Sequence, residues 1–380
     1  MRRADYFVAI DESGGIEALV DWNGAFIEGD HPVSLICAIL LRAEALSSFS
    51  NEWLALQKTI AEQLRLDSLP PIHLRLMYGR KLPPKYRGKP NPYLGSNFND
   101  IVGWIDQGFA ILRKYNLKQD LSIIFNQNTR QNLANNLLRY FQDDFFKREM
   151  QALRRLAGSK AYKAYHNAAF SSLLPLLLMT IFTINKQLYH FGHKTGHIWI
   201  DPSESSRGID VLTTFEVMRS RQQLQYITVE RIQNSDDNPL VQAADLVGFF
   251  LFRRYLMQYR RERGLDHSSD PVMEALLSKH PFRSHSRFNP GAAARRENHH
   301  LLSQVLHYEM AYRALHQVNP DIARNHLITI DEFIERQRMA LRSKAAGISV
   351  LKNGEDHGLS RGPVPQSYSA GEGLSTENTT

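Results

Sequence analysis

The sequence predicts an α/β protein, a sheet that carries helices on its faces. Three observations point there. Short runs of β-branched and aromatic residues, bounded by Gly, Pro, Asn and Asp, recur at 6–10, 33–41, 121–125, 197–200 and 226–232. Longer stretches between them repeat their apolar residues every three or four positions. The order is strands, helix, strand, helices and strand, closed by one apolar helix.

Residues 6–10, YFVAI, read as a strand halted by Asp11-Glu12-Ser13-Gly14-Gly15. A second short strand is expected at 17–22, and the apolar run 33–41 after Pro32 reads as a buried third. Short turns join these three, so an antiparallel meander is expected. Leu46, Phe49, Trp53, Leu56, Ile60 and Leu64 give helical spacing across 44–64. A loop rich in Pro, Gly and basic residues covers 69–95, followed by a helix at 99–115 and a strand at 121–125. Residues 129–156 read as a long polar helix and 172–189 as a buried one; together they form a helical insertion over about 129–190. The strand at 197–200 stops at Asp201-Pro202, a helix follows at 208–223, and another strand at 226–232. The helix 239–259 opens on Asn238 as N-cap with Pro239 in its first turn and ends in basic residues.

Beyond Gly264 the pattern changes. Helical spacing returns at 301–315 and 329–342, so 264–344 is expected to be a helical extension of a main domain covering 1–263. Residues 345–380 hold Gly, Ser, Asn and Thr with little that could form a core, and read as a disordered tail.

Composition narrows the function classes. At 380 residues, 43% hydrophobic and 22% charged, the chain is neither a disordered polymer, a collagen-like fibre nor a coiled-coil rod. Lys and Arg number 46 against 39 Asp and Glu, a net +7 that permits a polyanionic partner without requiring one. The single cysteine, Cys37, excludes an intramolecular disulfide and a Cys-based zinc site. The amino terminus passes straight into a strand without signal-peptide features, so a cytoplasmic protein is expected. The apolar stretch 168–184 is short for a membrane span and contains Ser171, Ser172 and Pro175, so a buried helix and no membrane association are expected.

Three acids stand out. Strand alternation puts Phe7, Ala9 and Asp11 on one face with Ser13, and Tyr6, Val8, Ile10 and Glu12 on the other. Asp11 thus ends a strand before glycines that allow close approach, though the same residues also make an ordinary turn. Asp201 stands where HIWID ends, the end of a strand at which open α/β sheets place functional groups; a cap or turn explains it as well. Glu204 is near enough in sequence to assist. Asp245 lies in PLVQAADLVGFFLF, sharing a helix face with Val241, Gln242, Gly248 and Phe249. A carboxylate there is costly unless paired or metal-bound, and pairing with an arginine satisfies that too. Gly248 and Ala244 would let the helix lie close to the sheet. Asp236 and Asp237 suit helix capping, with service of one of them as a fourth ligand the alternative. Were the three acids to converge, their hard oxygens would suit Mg²⁺ or Mn²⁺ rather than zinc.

YFVAIDESGG at the start, HIWIDPSE in the second half and SDDNPLVQAADLVG near the end together resemble the DUF3800 family, which is similar to the ribonuclease H-like fold. The resemblance covers roughly residues 5–256. It implies a five-stranded mixed sheet with helices on its faces and acids grouped near its centre. By position it implies Asp11, Asp201 and Asp245 as ligands of divalent cations that catalyse phosphodiester hydrolysis. Gln242, in the place of the family's Gln-x-x-Asp helix, would orient substrate or a ligand, and His73 of PPIHLRL matches a histidine the family often carries. Glu12 and Ser13 belong to the same DESG motif.

Two basic, aromatic segments flank these acids. Arg80, Lys81, Lys85 and Arg87 interleave with Tyr78, Tyr86 and Tyr93 in one loop, and Arg253 and Arg254 follow the Asp245 helix. Cations there would neutralise phosphates and tyrosines would stack on bases. His190, His193 and His197 fit no zinc spacing. The expected function is a metal-dependent nuclease acting on DNA or RNA. The alternative is a non-catalytic nucleic-acid-binding or scaffold protein with a degenerate site, in a bacterial defence or mobile-element assembly; Asn126 and the helices after 265 favour it. Self-association or a protein complex is compatible with either. An Asp11 phosphatase is disfavoured because residue 13 is Ser, which breaks the Asp-x-Asp pattern.

Overall fold

The structure is a computed structural model. It describes residues 4–14, 18–21, 25–28, 31–78, 90–140, 173–200, 224–231, 235–265 and 271–280, and positions 320, 321, 332, 335, 339 and 342. The chain divides into two compact units, 1–330 and 331–380. In the second, Glu332, Glu335, Met339 and Arg342 are helical and exposed, the spacing of one solvent-facing helix stripe.

The first unit is built on a five-stranded sheet in the order β3-β2-β1-β4-β5. Its strands are β1 (Tyr6–Gly14), β2 (Val33–Arg42), β3 (Leu121–Thr129), β4 (Gly196–Ile200) and β5 (Ile227–Arg231). β2 runs antiparallel to β1 and β3, while β4 runs parallel to β1 and β5. The sheet is therefore mixed, as the resemblance implies, with β1 at its centre.

Nine of the ten β2 residues are buried, because helices cover both faces of that strand. On one face lie α1 (Leu46–Leu64), α3 (Phe98–Leu117) and α6 (Pro239–Glu262), enclosing Cys37, Ile39, Trp53, Phe109 and Phe250. The other face meets α5 (Leu173–His190), where Ile181, Ile184 and Leu188 are fully buried. The helices α2 (Leu74–Tyr78), α4 (Arg130–Tyr140) and α7 (Pro271–Lys279) complete the described elements.

Three boundaries differ from expectation. β1 does not stop at Ile10 but pairs with β2 as far as Gly14 opposite Ser34. The weak strand propensity of Asp, Glu and Ser is overridden by a fully buried partner strand, and the turn begins only at Gly14, whose φ is 100°. The strand expected at 17–22 is not part of the sheet; there Val20 makes an isolated antiparallel bridge with Phe26. β3 continues four residues past Phe125 to Thr129, so Asn126 and Gln127 lie inside a ladder rather than at its end. Lys279 of α7 ion-pairs with Asp106 of α3, Nζ to Oδ2 at 2.6 Å, and so the chain just beyond residue 264 packs on this unit. No helix among the described residues is long and apolar enough to cross a membrane. The helix expected at 208–223, all of 141–172, the helix expected at 301–315, all but four positions of the one expected at 329–342, and the tail 345–380 lie outside the described residues.

Candidate functional site

The site begins on β1. Ala9 packs in the core shared with α6, so alternation turns Asp11 and Ser13 to the same side. α6 crosses there because Gly248 has no side chain. A Cβ at Gly248 would sit 3.3 Å from Cys37 Cβ, 3.5 Å from Asp11 Oδ2 and 3.7 Å from Ser13 Oγ. Cys37 stands opposite Asp11 in the β1–β2 ladder. Burial, and secondarily the Asp11 carboxylate, push its thiol far above the ordinary range, which keeps it a neutral packing group.

Asp245 stands one helical turn before Gly248 on the same face of α6. Side chains at that spacing start about 5–6 Å apart. Added to the 3.5 Å from Gly248 to Asp11 Oδ2, this places Asp245 Cβ within roughly 9 Å of that oxygen. Two acids 234 positions apart in the chain (245 − 11) are thus brought to one strand–helix junction.

Asp245 is also tied to a third element. His73 Nδ1 lies 3.0 Å from Asp245 Oδ2, and the Leu74 amide donates to the same oxygen at 3.3 Å. The segment carrying His73 is held at successive residues. Gln57 Nε2 donates to the Pro70 carbonyl at 2.8 Å, and Tyr93 Oη donates to that of Pro71 at 2.9 Å. The Ile72 amide donates to Gln242 Oε1 at 3.0 Å. Buried backbone groups need partners, and here side chains of three other segments supply them.

Gln242 is 5% exposed and has all its amide atoms engaged. Its Oε1 also accepts from Trp53 Nε1 at 3.1 Å, and its Nε2 donates to the Asp236 carbonyl. Gln242 therefore braces α1, the His73 segment and the turn before α6. Asn238 caps α6 as expected, accepting from Leu240 and Val241 amides at 3.0 and 3.2 Å.

The remaining candidates fall differently. Glu12 points to the opposite face of the sheet from Asp11. Asn126 lies on Glu12's side of the sheet and donates to Thr180 Oγ1 of α5 at 2.9 Å, a buried structural bond. β4 ends at Ile200 paired with Ile10, one residue short of Asp11. Asp201 and Glu204 lie outside the described residues, as do Arg80, Lys81, Lys85 and Arg87. Tyr93, expected to be a stacking surface, is buried at 3% exposure and bonded to Pro71, and burial pushes its hydroxyl well above the ordinary range. Arg253 is half-buried and Arg254 exposed, roughly 12 Å along α6 from Asp245. His193 bonds Tyr226 Oη and His197 bonds Thr228 Oγ1, so the three histidines do not share one centre.

Among the described residues no three His, Cys, Asp or Glu side chains are grouped as ligands for one ion. The carboxylates of Asp11 and Asp245 nonetheless suit a hard divalent cation in donor chemistry. The missing side chain at Gly248 lets α6 lie directly against Asp11, whose Oδ2 is buried there.

No family model matches the chain, and no curated protein matches it. Among solved structures it is similar to a chain of the PCNA:RNase HII complex from Archaeoglobus fulgidus. Sequence identity is 10%, 76% of this chain and 98% of that one are covered, and the TM-score is 0.26. A likeness that slight carries no functional argument.

Proposed function

We propose that this chain is a divalent-metal-dependent nuclease of ribonuclease H-like fold, and that it belongs with the DUF3800 proteins it resembles. The mixed five-stranded sheet with a central first strand supports the fold. One observation carries the function: Asp11 of the central strand and Asp245 of α6 lie at a single junction, where Gly248 lets the helix approach the strand closely. Asp11 and Asp245 would hold Mg²⁺ or Mn²⁺, with Asp201 completing the set. Such a cation, when bound, lowers the pKa of water and offsets charge developing on phosphate oxygens. The chain's own residues do the positioning. Gln242 and Trp53 fix the segment that seats His73 against Asp245, and Ser13 fills the wall beside Asp11. Arg253 and Arg254 supply cations for the polymer backbone.

The test is cleavage of end-labelled DNA and RNA oligonucleotides with Mg²⁺, Mn²⁺ or EDTA. Metal-dependent cleavage that falls at least 100-fold in both Asp11→Asn and Asp245→Asn is expected. Cleavage that survives either substitution overturns the assignment.

A second reading is favoured by Asp245 itself. Its Oδ2 already accepts from the Leu74 amide and lies 3.0 Å from His73 Nδ1, as a purely structural carboxylate would. The chain would then bind nucleic acid without cutting it. Salt-sensitive binding with no metal-dependent turnover would select this reading.

A further inference from the structure

We propose that the ring cluster between the end of α5 and the start of β5 is a platform for single-stranded nucleic acid. Tyr189, His193 and Tyr226 meet there. Tyr189 and His193 have ring centroids 4.6 Å apart, His193 and Tyr226 5.7 Å, and Tyr189 and Tyr226 6.1 Å. His193 Nδ1 and Tyr226 Oη are 2.8 Å apart, which locks two of the rings together. Tyr189 is 48% exposed, and His190 and His193 are exposed beside it.

The backbone indicates that this display is built rather than incidental. The turn after α5 is closed by amides of Gly192 and His193 donating to the Tyr189 carbonyl, each at 3.1 Å, and by Lys194 donating to Leu188 at 3.0 Å. Gly192 has φ 94° and His193 φ 58°. A left-handed residue is easily met by glycine and costs a side-chain-bearing residue strain. The chain nevertheless places an imidazole there, and that imidazole completes the cluster. Tyr226 is fixed independently: its amide donates to Asn185 Oδ1 at 3.2 Å and its carbonyl accepts from Gly196 at 2.7 Å.

The chemistry selects the occupant. Exposed ring faces stack on any base, and the hydroxyl and imidazole edges tolerate a wet polar ligand better than an aliphatic partner. Exposed Lys186, one helical turn before Tyr189, supplies a phosphate contact. Lys194 is paired with Asp5 at 3.2 Å, and Thr195 also holds that carboxylate. Bases of a duplex are already stacked and paired, so the rings favour single strands. The platform lies at the Tyr6–Gly196 end of the sheet, five residues of β1 from Asp11, or about 17 Å. It extends the nuclease reading without depending on it.

Binding in EDTA, where no metal-dependent cleavage can occur, provides the test. Fluorescence anisotropy of labelled single-stranded DNA, single-stranded RNA and duplex DNA would be measured with the full chain and with Tyr189→Ala and Tyr189→Trp. Single strands are expected to bind more tightly than duplex, and Tyr189→Ala to weaken them about 5- to 150-fold, the range for losing one stacked base. Tyr189→Trp should retain affinity, and its new indole should be quenched as the strand binds. Because binding is read without metal, a failed cleavage assay alone leaves the platform standing. The proposal is overturned by equal or tighter binding of duplex, by Tyr189→Ala affinity within twofold of the unmodified chain, or by binding to Tyr189→Trp without quenching.

Discussion

Gln242→Ala removes the brace beneath the site, and its cost can be worked out from the bonds it breaks. Truncation leaves Trp53 Nε1 and the Ile72 amide without their shared acceptor and the Asp236 carbonyl without its donor. Each buried group left unsatisfied costs about 1–3 kcal/mol, so the two donors alone set a range of about 2–6 kcal/mol. Water entering the space left by the amide recovers part of this, and a loss of about 3 kcal/mol is expected. In a domain of this size that lowers the melting temperature by roughly 6–12 °C. Gln242→Glu keeps both accepting roles but buries a carboxylate oxygen against the Asp236 carbonyl, so it too should destabilise at neutral pH and recover in acid, where a protonated carboxyl can donate again. Urea unfolding followed by tryptophan fluorescence measures both variants against the unmodified chain. A loss below about 1 kcal/mol for Gln242→Ala would refute the bracing role.

Three further outcomes are expected. Asp106 should support stability only where it is ionised. Burial raises its pKa, but hydrogen bonds and charge from Lys279 and His280 outweigh this and leave it below the ordinary 3.8. Its contribution should therefore be present above about pH 4 and vanish as pH falls through the lowered value, so the melting temperatures of Asp106→Asn and the unmodified chain should converge in acid. Cys37, buried and with its thiol pushed up, should react with a thiol-specific reagent only on unfolding; rapid labelling of the native chain would contradict its packing. Asn238→Ala should cost about 0.5–2 kcal/mol by uncapping α6, while Asn238→Asp should be nearly neutral in the same denaturation assay.

Much of this architecture was legible because strong periodicity survives any tertiary context. The runs at 33–41, 44–64 and 239–259 all formed the elements expected of them, and the Asn238-Pro239 start of α6 did so to the residue. The face shared by Asp11 and Ser13 followed from strand alternation alone. The extent of β1 did not, because Asp, Glu, Ser and Gly write a turn locally while the buried β2 partner keeps the strand going. Nor was the Trp53–Gln242–Ile72 brace visible. Its members are up to 189 positions apart, and a glutamine on an apolar helix gives no sign of which donors it will meet. Tyr93 misled for a related reason: basic neighbours in sequence suggested an open surface, whereas its hydroxyl is used internally by Pro71.

Manganese binding tests the convergence of Asp11 and Asp245 most directly, since it needs neither a substrate nor turnover. The free Mn²⁺ signal, followed by electron paramagnetic resonance during titration, should fall as the unmodified chain takes up the ion. Asp11→Asn and Asp245→Asn should each lose that uptake. Unchanged uptake in either variant, or none by the unmodified chain, would show that these carboxylates do not form a shared cation site.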